Sequence, residues 1–263
     1  MEDDRIKEVV ETSEIHSKRI SESDQKSKIF DKYGIDLKKL ENEQEKLAKN
    51  LSIKDSINFE LAERVAGIDN IFFKNRIISA IVVLSDVREI RNFSEHPKVQ
   101  NQTQGLFDFE IVEQEYFEDK VKFPYIPSFR AYRELPAMIS AFNKLDEKPD
   151  VVFIRGHGIL HPKGLGIASH FSLVVGVPCI GIADNLIVGE VKGEDILLDG
   201  KSAGKIIKTK FGARPLYISP GNMVSVSSAE KLTKIFTKEP HRIPEPLRLA
   251  RRYAKEIMSE IFK

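Results

Sequence analysis

Val151-Val152-Phe153-Ile154-Arg155-Gly156-His157-Gly158-Ile159-Leu160-His161-Pro162-Lys163-Gly164-Leu165-Gly166 is the stretch on which the fold turns. Its first four residues are apolar without alternation, which reads as a short strand buried on both faces. A glycine-rich segment leaves that strand directly. Residues 168–175 then read as a helix and residues 178–183 as a second buried strand. Strand, loop, helix and strand in that order predict a parallel crossover within one sheet, with residues 215–219 as a further strand of the same series.

Working outward, the upstream half has a different grammar. Residues 64–69, the β-rich run at 77–84 and the alternating residues 87–93 predict three strands joined by short turns, an antiparallel meander. Before them, Leu37, Leu40, Leu47 and Leu51 recur at helical spacing behind Asp36, a suitable N-cap. The first 35 or so residues are polar, with Ser13, Ser17, Ser21, Ser23 and Ser27 among alternating charges; a solvated helix or a flexible extension fits, the latter being commoner for such composition. Downstream, residues 135–145 read as a helix, and Pro244-Glu245-Pro246 opens a closing helix to about Phe262. The expected architecture is α/β: a mixed sheet, meander first and β-α-β units after, with an N-terminal helical extension (1–36) before the main domain (37–263).

Composition sets outer bounds. The 263 residues carry 41 Lys and Arg against 40 Asp and Glu, a formal charge of +1, so no general polyanion binder is implied. One cysteine, Cys179, excludes a disulfide framework and a multi-cysteine zinc site. No apolar run approaches the ~20 residues of a membrane span, and the acidic start Met1-Glu2-Asp3-Asp4 lacks the pattern of a signal peptide. The expectation is a soluble, cytoplasmic protein with no membrane partner.

Ligands gather where parallel strands end, so polar residues there are the candidates. Asp69 closes the first strand, Arg155 and Asp184 follow the two buried strands, and Glu134 heads a helix. Each also has a plain structural reading as a turn residue or helix cap. Between Arg155 and Gly166 lie four glycines with His157 and His161, which admit a ligand to the backbone. Two histidines alone fall short of a zinc set, so a phosphate or base contact is the better physical reading. Pro124-Tyr125-Ile126-Pro127 is a stiff loop suited to a base-unstacking wedge, or equally to a core anchor. Lys201, Lys205, Lys208, Lys210 and Arg214 form a basic stretch suited to phosphates or to simple solvation.

Taken together, these residues resemble the endonuclease V family. The likeness runs from about Leu37 to Arg252 through motifs in family order: residues 65–69, 123–134, 155–166, 181–183, 218–221 and 242–246. It implies a ribonuclease H-like fold and recognition of deaminated bases, chiefly inosine in DNA or RNA. It also implies cleavage of a phosphodiester on the 3′ side with Mg²⁺, a DNA-repair nuclease activity. By position, Asp69 and Glu134 match the family's metal-binding, catalytic carboxylates. Tyr125 matches the wedge aromatic, with Pro124, Ile126 and Pro127 around it. Gly156 and Gly158 match glycines that admit the flipped base, and His161 matches the histidine of that loop.

The chain departs from the pattern at the centre. Arg155 stands where the family has an aspartate ligand, Asp184 where it has a lysine, and Asn222 where it has a histidine; Ser128 replaces a glycine after the wedge. An arginine cannot ligate a cation, and it repels one by about 4 kcal/mol at ~4 Å and an effective dielectric near ~20. Arg155 and Asp184 with exchanged signs predict a reversed ion pair. Three readings follow. The first is an inosine-directed DNA- or RNA-binding relative whose Mg²⁺-dependent cleavage is weakened or lost, with Asp69 and Glu134 as remnants. The second is an active Mg²⁺-dependent endonuclease working through an altered site. The third is a regulatory subunit whose N-terminal extension docks a protein partner.

Overall fold

The computed structural model describes residues 22–85, 109–210 and 212–263. The chain divides into two units, Met1–Glu43 and Gln44–Lys263. The polar extension holds a helix, α1 (Glu22–Tyr33), followed by α2 (Leu37–Ala48). The Lys39 N–H donates to the Asp36 carboxylate at 3.0 Å, so Asp36 caps α2 as its sequence suggests. Ser13, Ser17 and Ser21 lie outside the described residues, and so does the strand expected at 87–93.

The described residues contain one large sheet, in spatial order β3-β2-β1-β4-β5-β9-β8-β7-β6. Its strands are β1 (Arg64–Phe73), β2 (Arg76–Ser85), β3 (Glu110–Lys120), β4 (Val151–Arg155), β5 (Cys179–Ala183), β6 (Glu190–Lys192), β7 (Asp195–Leu198), β8 (Lys201–Ile207) and β9 (Leu216–Asn222). β1, β2 and β3 form the antiparallel meander. β1, β4 and β5 run parallel, the last two joined through α4 (Ile167–Val175). β9 pairs antiparallel to β5, which corrects the expectation of a further parallel crossover. The reason is local: β6, β7 and β8 carry the chain back by successive antiparallel pairings rather than through a helix.

Strand periodicity sorts the core onto two faces. Val65, Val151 and Phe153 pack with Leu232 and Phe236 of α5 (Val226–Phe236). Ala66, Ile68, Val152 and Ile154 face α3 (Arg130–Phe142) and α4. The closing helix, α6 (Glu245–Ile261), lies along the first of these faces, with Leu247 near Val65 and with Ala254 and Ile257 beside Ile71. Gly67 makes that seat possible: a Cβ there would stand 2.2 Å from the Pro246 carbonyl carbon. Among the described residues no helix is long and apolar enough to cross a membrane.

Candidate functional site

A cavity of about 330 Å³ opens at the carboxyl ends of β4 and β5, where a parallel sheet presents its loops. Its lining includes Tyr125, Pro127, Ser128, Gly156 and His161, together with the charged Arg130, Arg155 and Asp184. Tyr125 is 69% exposed and is the projecting side chain of the proline-flanked loop. Ile126 is buried, so the aromatic side chain of this loop projects while the aliphatic one packs inward. Its carbonyl accepts from the Phe129 N–H at 3.0 Å, and the resulting turn folds the side chain inward. Pro124 lies outside the wall.

The two glycines separate in role. Gly156 lines the cavity with φ +150°, where a Cβ would meet Ile167 at 2.4 Å and the Arg130 guanidinium at 3.2 Å. Gly158 does not line it. A Cβ there would sit 2.0 Å from the Pro220 carbonyl oxygen, so its smallness serves backbone packing against β9. Its N–H donates to the Ser219 hydroxyl at 2.8 Å.

His161 is fixed at both ring nitrogens. Nδ1 accepts from the Lys163 N–H at 3.3 Å, which leaves Nε2 as the donor to the Ser128 carbonyl at 3.0 Å. Burial pushes this imidazole down to about 4, so it is neutral at physiological pH. His157 is likewise depressed by burial; its Nε2 lies 2.7 Å from the Asn185 carbonyl. The Ser128 carbonyl also accepts from the Gln44 amide at 2.9 Å. Ser128 itself holds φ +66°, a left-handed conformation costly for a residue with a Cβ.

The rest of the centre is built of charges. Glu134 and Asp69 are buried in the polar interior beside the cavity, and each of their carboxylate oxygens accepts at least one hydrogen bond. Glu134 Oε1 accepts from Arg130 Nε at 2.5 Å, and Oε2 accepts from Arg130 Nη2 at 2.9 Å and Asn70 Nδ2 at 2.7 Å. Asp69 Oδ1 accepts from the Asn70 N–H at 2.8 Å, and Oδ2 from Arg251 Nη1 at 3.1 Å. Burial raises the Asp69 carboxyl above its ordinary range against the opposing pull of Arg251 and Arg155.

Arg155 Nη2 donates to Asp184 Oδ2, the reversed ion pair that the exchanged residues predict. Arg242 Nη2 donates to Asp184 Oδ1, so two guanidiniums share this carboxylate. Burial alone would raise Asp184; the two arginines outweigh it and hold the carboxyl below the usual range. Arg155 Nη1 is buried with no hydrogen-bond partner, an omission that ordinarily costs about 1–3 kcal/mol. Asn222 lies away from the cavity, where its Oδ1 accepts from the Ser52 N–H at 2.8 Å. Of the basic stretch, Lys205 is committed to Asp195 at 3.0 Å and Glu230 at 3.4 Å, while Lys201, Lys208, Lys210 and Arg214 are exposed.

This donor set does not fit a divalent cation. Mg²⁺ would compete for the oxygens of Asp69 and Glu134 with amide donors and with the guanidiniums of Arg130 and Arg251, whose charge repels it. Arg155 adds its own positive charge to the surroundings of Asp69. Among the described residues no group of three or more His, Cys, Asp and Glu side chains is placed to hold a metal ion.

The Endonuclease V family matches residues 45–252, and Endonuclease V of Dictyoglomus turgidum is 33% identical over 225 residues, 82% of this chain and 88% of that protein. The chain belongs to the endonuclease V family. The catalytic domain of human Endonuclease V superposes with a TM-score of 0.71 at 25% identity, covering 86% of this chain and 97% of that one. Endonuclease V from Ciona intestinalis, in complex with a 24mer DNA containing an inosine followed by a ribo-adenosine, shares the fold with a TM-score of 0.71 at 22% identity, covering 86% and 98%. Endonuclease V structures have the ribonuclease H-like fold, and this member's mixed sheet is of that kind. Sequence reasoning missed three arginines of this member's centre: Arg130, Arg242 and Arg251. Arg130 precedes Glu134 by one helical turn, a spacing that signals an ion pair. Arg242 opens the 242–246 motif, but the partnership of Arg251 with Asp69 spans 182 residues and has no local sign.

Proposed function

We propose that this endonuclease V relative binds DNA or RNA containing a deaminated base, inosine above all, and that its Mg²⁺-dependent cleavage is weakened or lost. The observation that carries this reading is the engagement of Asp69 and Glu134 by Asn70, Arg130 and Arg251, two of them guanidiniums. The binding half is supported by the cavity and by Tyr125 at its mouth. A volume near 330 Å³ is at the small end of ligand sites, right for one base rather than a strand. A base leaving its stack exchanges that stacking for an aromatic face, and the exposed ring of Tyr125 supplies one. The inosine-containing DNA held by the Ciona intestinalis relative favours the same ligand class here. The neutral His161 and the doubly bonded Ser128 carbonyl would keep the pocket wall rigid while a base enters.

The test is direct. The protein is incubated with single-stranded DNA and RNA carrying one inosine, with Mg²⁺ or Mn²⁺, alongside Asp69→Ala. Binding without product is the expected result. Product formation that disappears in Asp69→Ala would show an active enzyme working through an altered site and overturn this reading.

A further inference from the structure

We propose that Arg155 binds a backbone phosphodiester of the captured strand directly, so that nucleic-acid binding at this centre needs no divalent cation. The inference rests on the nucleic-acid reading above and names the chemistry of its charged half. Three observations carry it.

First, the Arg155 side chain stands in the cavity wall with one edge of its guanidinium anchored on Asp184, while its Nη1 donates to no protein atom. Nη1 is itself buried, so what faces a ligand is the remainder of a side chain left 19% exposed. A planar guanidinium held along one edge keeps a fixed direction that suits a phosphate oxygen. Second, the surrounding charges do not cancel. Among the described residues, the carboxylates paired with Arg130, Arg155, Arg242 and Arg251 are those of Glu134, Asp184 and Asp69, with Asp184 shared between two of the arginines. One positive charge is left over, and a phosphodiester carries one negative charge. Third, Arg130 lines the same cavity with Nε and Nη2 committed to Glu134, so a second guanidinium borders the space an anion would enter. A cation would be repelled by this wall; an anion completes it.

The probe is a fluorescent single-stranded DNA oligonucleotide with one inosine, titrated with the full chain in EDTA and again in Mg²⁺, over a range of salt. Wild-type affinity should agree within about 2-fold between the two buffers, because no metal contributes. Arg155→Gln, which removes the charge and leaves a shorter polar side chain, should weaken binding about 10-fold or more and lower the salt slope by about 0.7. Arg155→Lys keeps the charge as a compact point; it should retain the salt slope and lose less affinity than Arg155→Gln. It also serves as the second variant should the glutamine disturb folding, which thermal melts of both report. Unchanged affinity and salt slope in Arg155→Gln, with a wild type that binds, overturns the assignment and leaves the nucleic-acid reading standing. Loss of wild-type binding in EDTA overturns it as well. Excess inorganic phosphate is the remaining arm: if phosphate stabilises the wild type only when Arg155 is present while DNA binding ignores the residue, the site takes a free anion and the assignment fails. A wild type that binds no inosine oligonucleotide in any buffer overturns both readings together.

Discussion

Tyr125, Ser128 and His161 in the cavity wall, and Asp184 with the buried Asp69 and Glu134 beside it, show two ways of handling polarity around one site. The first group is neutral. Its imidazole is kept uncharged by burial, its key carbonyl is tied twice, and its aromatic ring points outward. The second is densely charged, with every acid bound to an arginine. A neutral wall can change occupants at little cost, whereas a lattice of ion pairs resists the removal of any member. On the proposed reading, the base-binding and metal-binding halves of such a site are separable: one can keep a ligand-ready form while the other is rebuilt for charge balance.

That contrast breaks most visibly if a charged member is removed. Arg130→Ala leaves the buried Glu134 carboxylate with Asn70 alone, and should cost about 2–4 kcal/mol of unfolding free energy in urea titrations, less than a fully buried pair because Arg130 is partly exposed. A cost below ~1 kcal/mol would mean that the second group is no lattice. In the first group the effect should fall on binding instead. Tyr125→Ala should weaken inosine-oligonucleotide binding by about 1–3 kcal/mol, the worth of one stacked base, while changing stability by less than ~0.5 kcal/mol. Fluorescence titration and a thermal melt on the same sample separate the two.

Acid sharpens the comparison further. The folded value of His161, about 4, lies below its ordinary value, so its contribution is fully present above pH ~6.5 and is lost as pH falls toward 4. Between pH 7 and pH 5 the wild type should lose about 1–2 kcal/mol through this residue, because a proton on Nδ1 would face the Lys163 N–H. His161→Gln should flatten that slope in urea titrations at the two values. Asp184 contributes nothing over the same window: its depressed carboxyl stabilises above its unfolded value near ~3.9 and is lost only below it. The smallest effect is expected at Ser128. Glycine accepts φ +66° without penalty, so Ser128→Gly should raise stability by about 0.5–1 kcal/mol, read as a shifted urea midpoint at constant slope.

How much of this was legible in the sequence depends on how local the cause is. The β4-α4-β5 unit shows itself because a strand buried on both faces has no polar residue to hide it. α6 shows itself through its prolines. β3 escaped because its outward and inward residues are nearly all charged or half exposed, and β6–β8 because short, lysine-bearing strands read as loop. The antiparallel course of β9 follows from those hidden strands. In the site, Arg155 and Asp184 could be paired by their exchanged signs alone. The ties of Asp69 to Arg251 and of Asp184 to Arg242 depend on where distant elements come to rest, which no spacing in the chain records.

Gly67 sets one such resting place, and its effect reaches beyond packing. Gly67 and Asp69 share a strand face about 6.7 Å apart, and the five residues from Pro246 to Arg251 rise about 7.5 Å along their helix. These two rulers nearly agree. With the helix flush against a residue that has no side chain, Arg251 arrives over Asp69 as a bolt arrives at its keeper. A methyl group at position 67 would lift the bar and leave the keeper empty. Whether the buried acid of this protein stays locked to a guanidinium or stands open is decided two residues upstream, by a missing carbon atom.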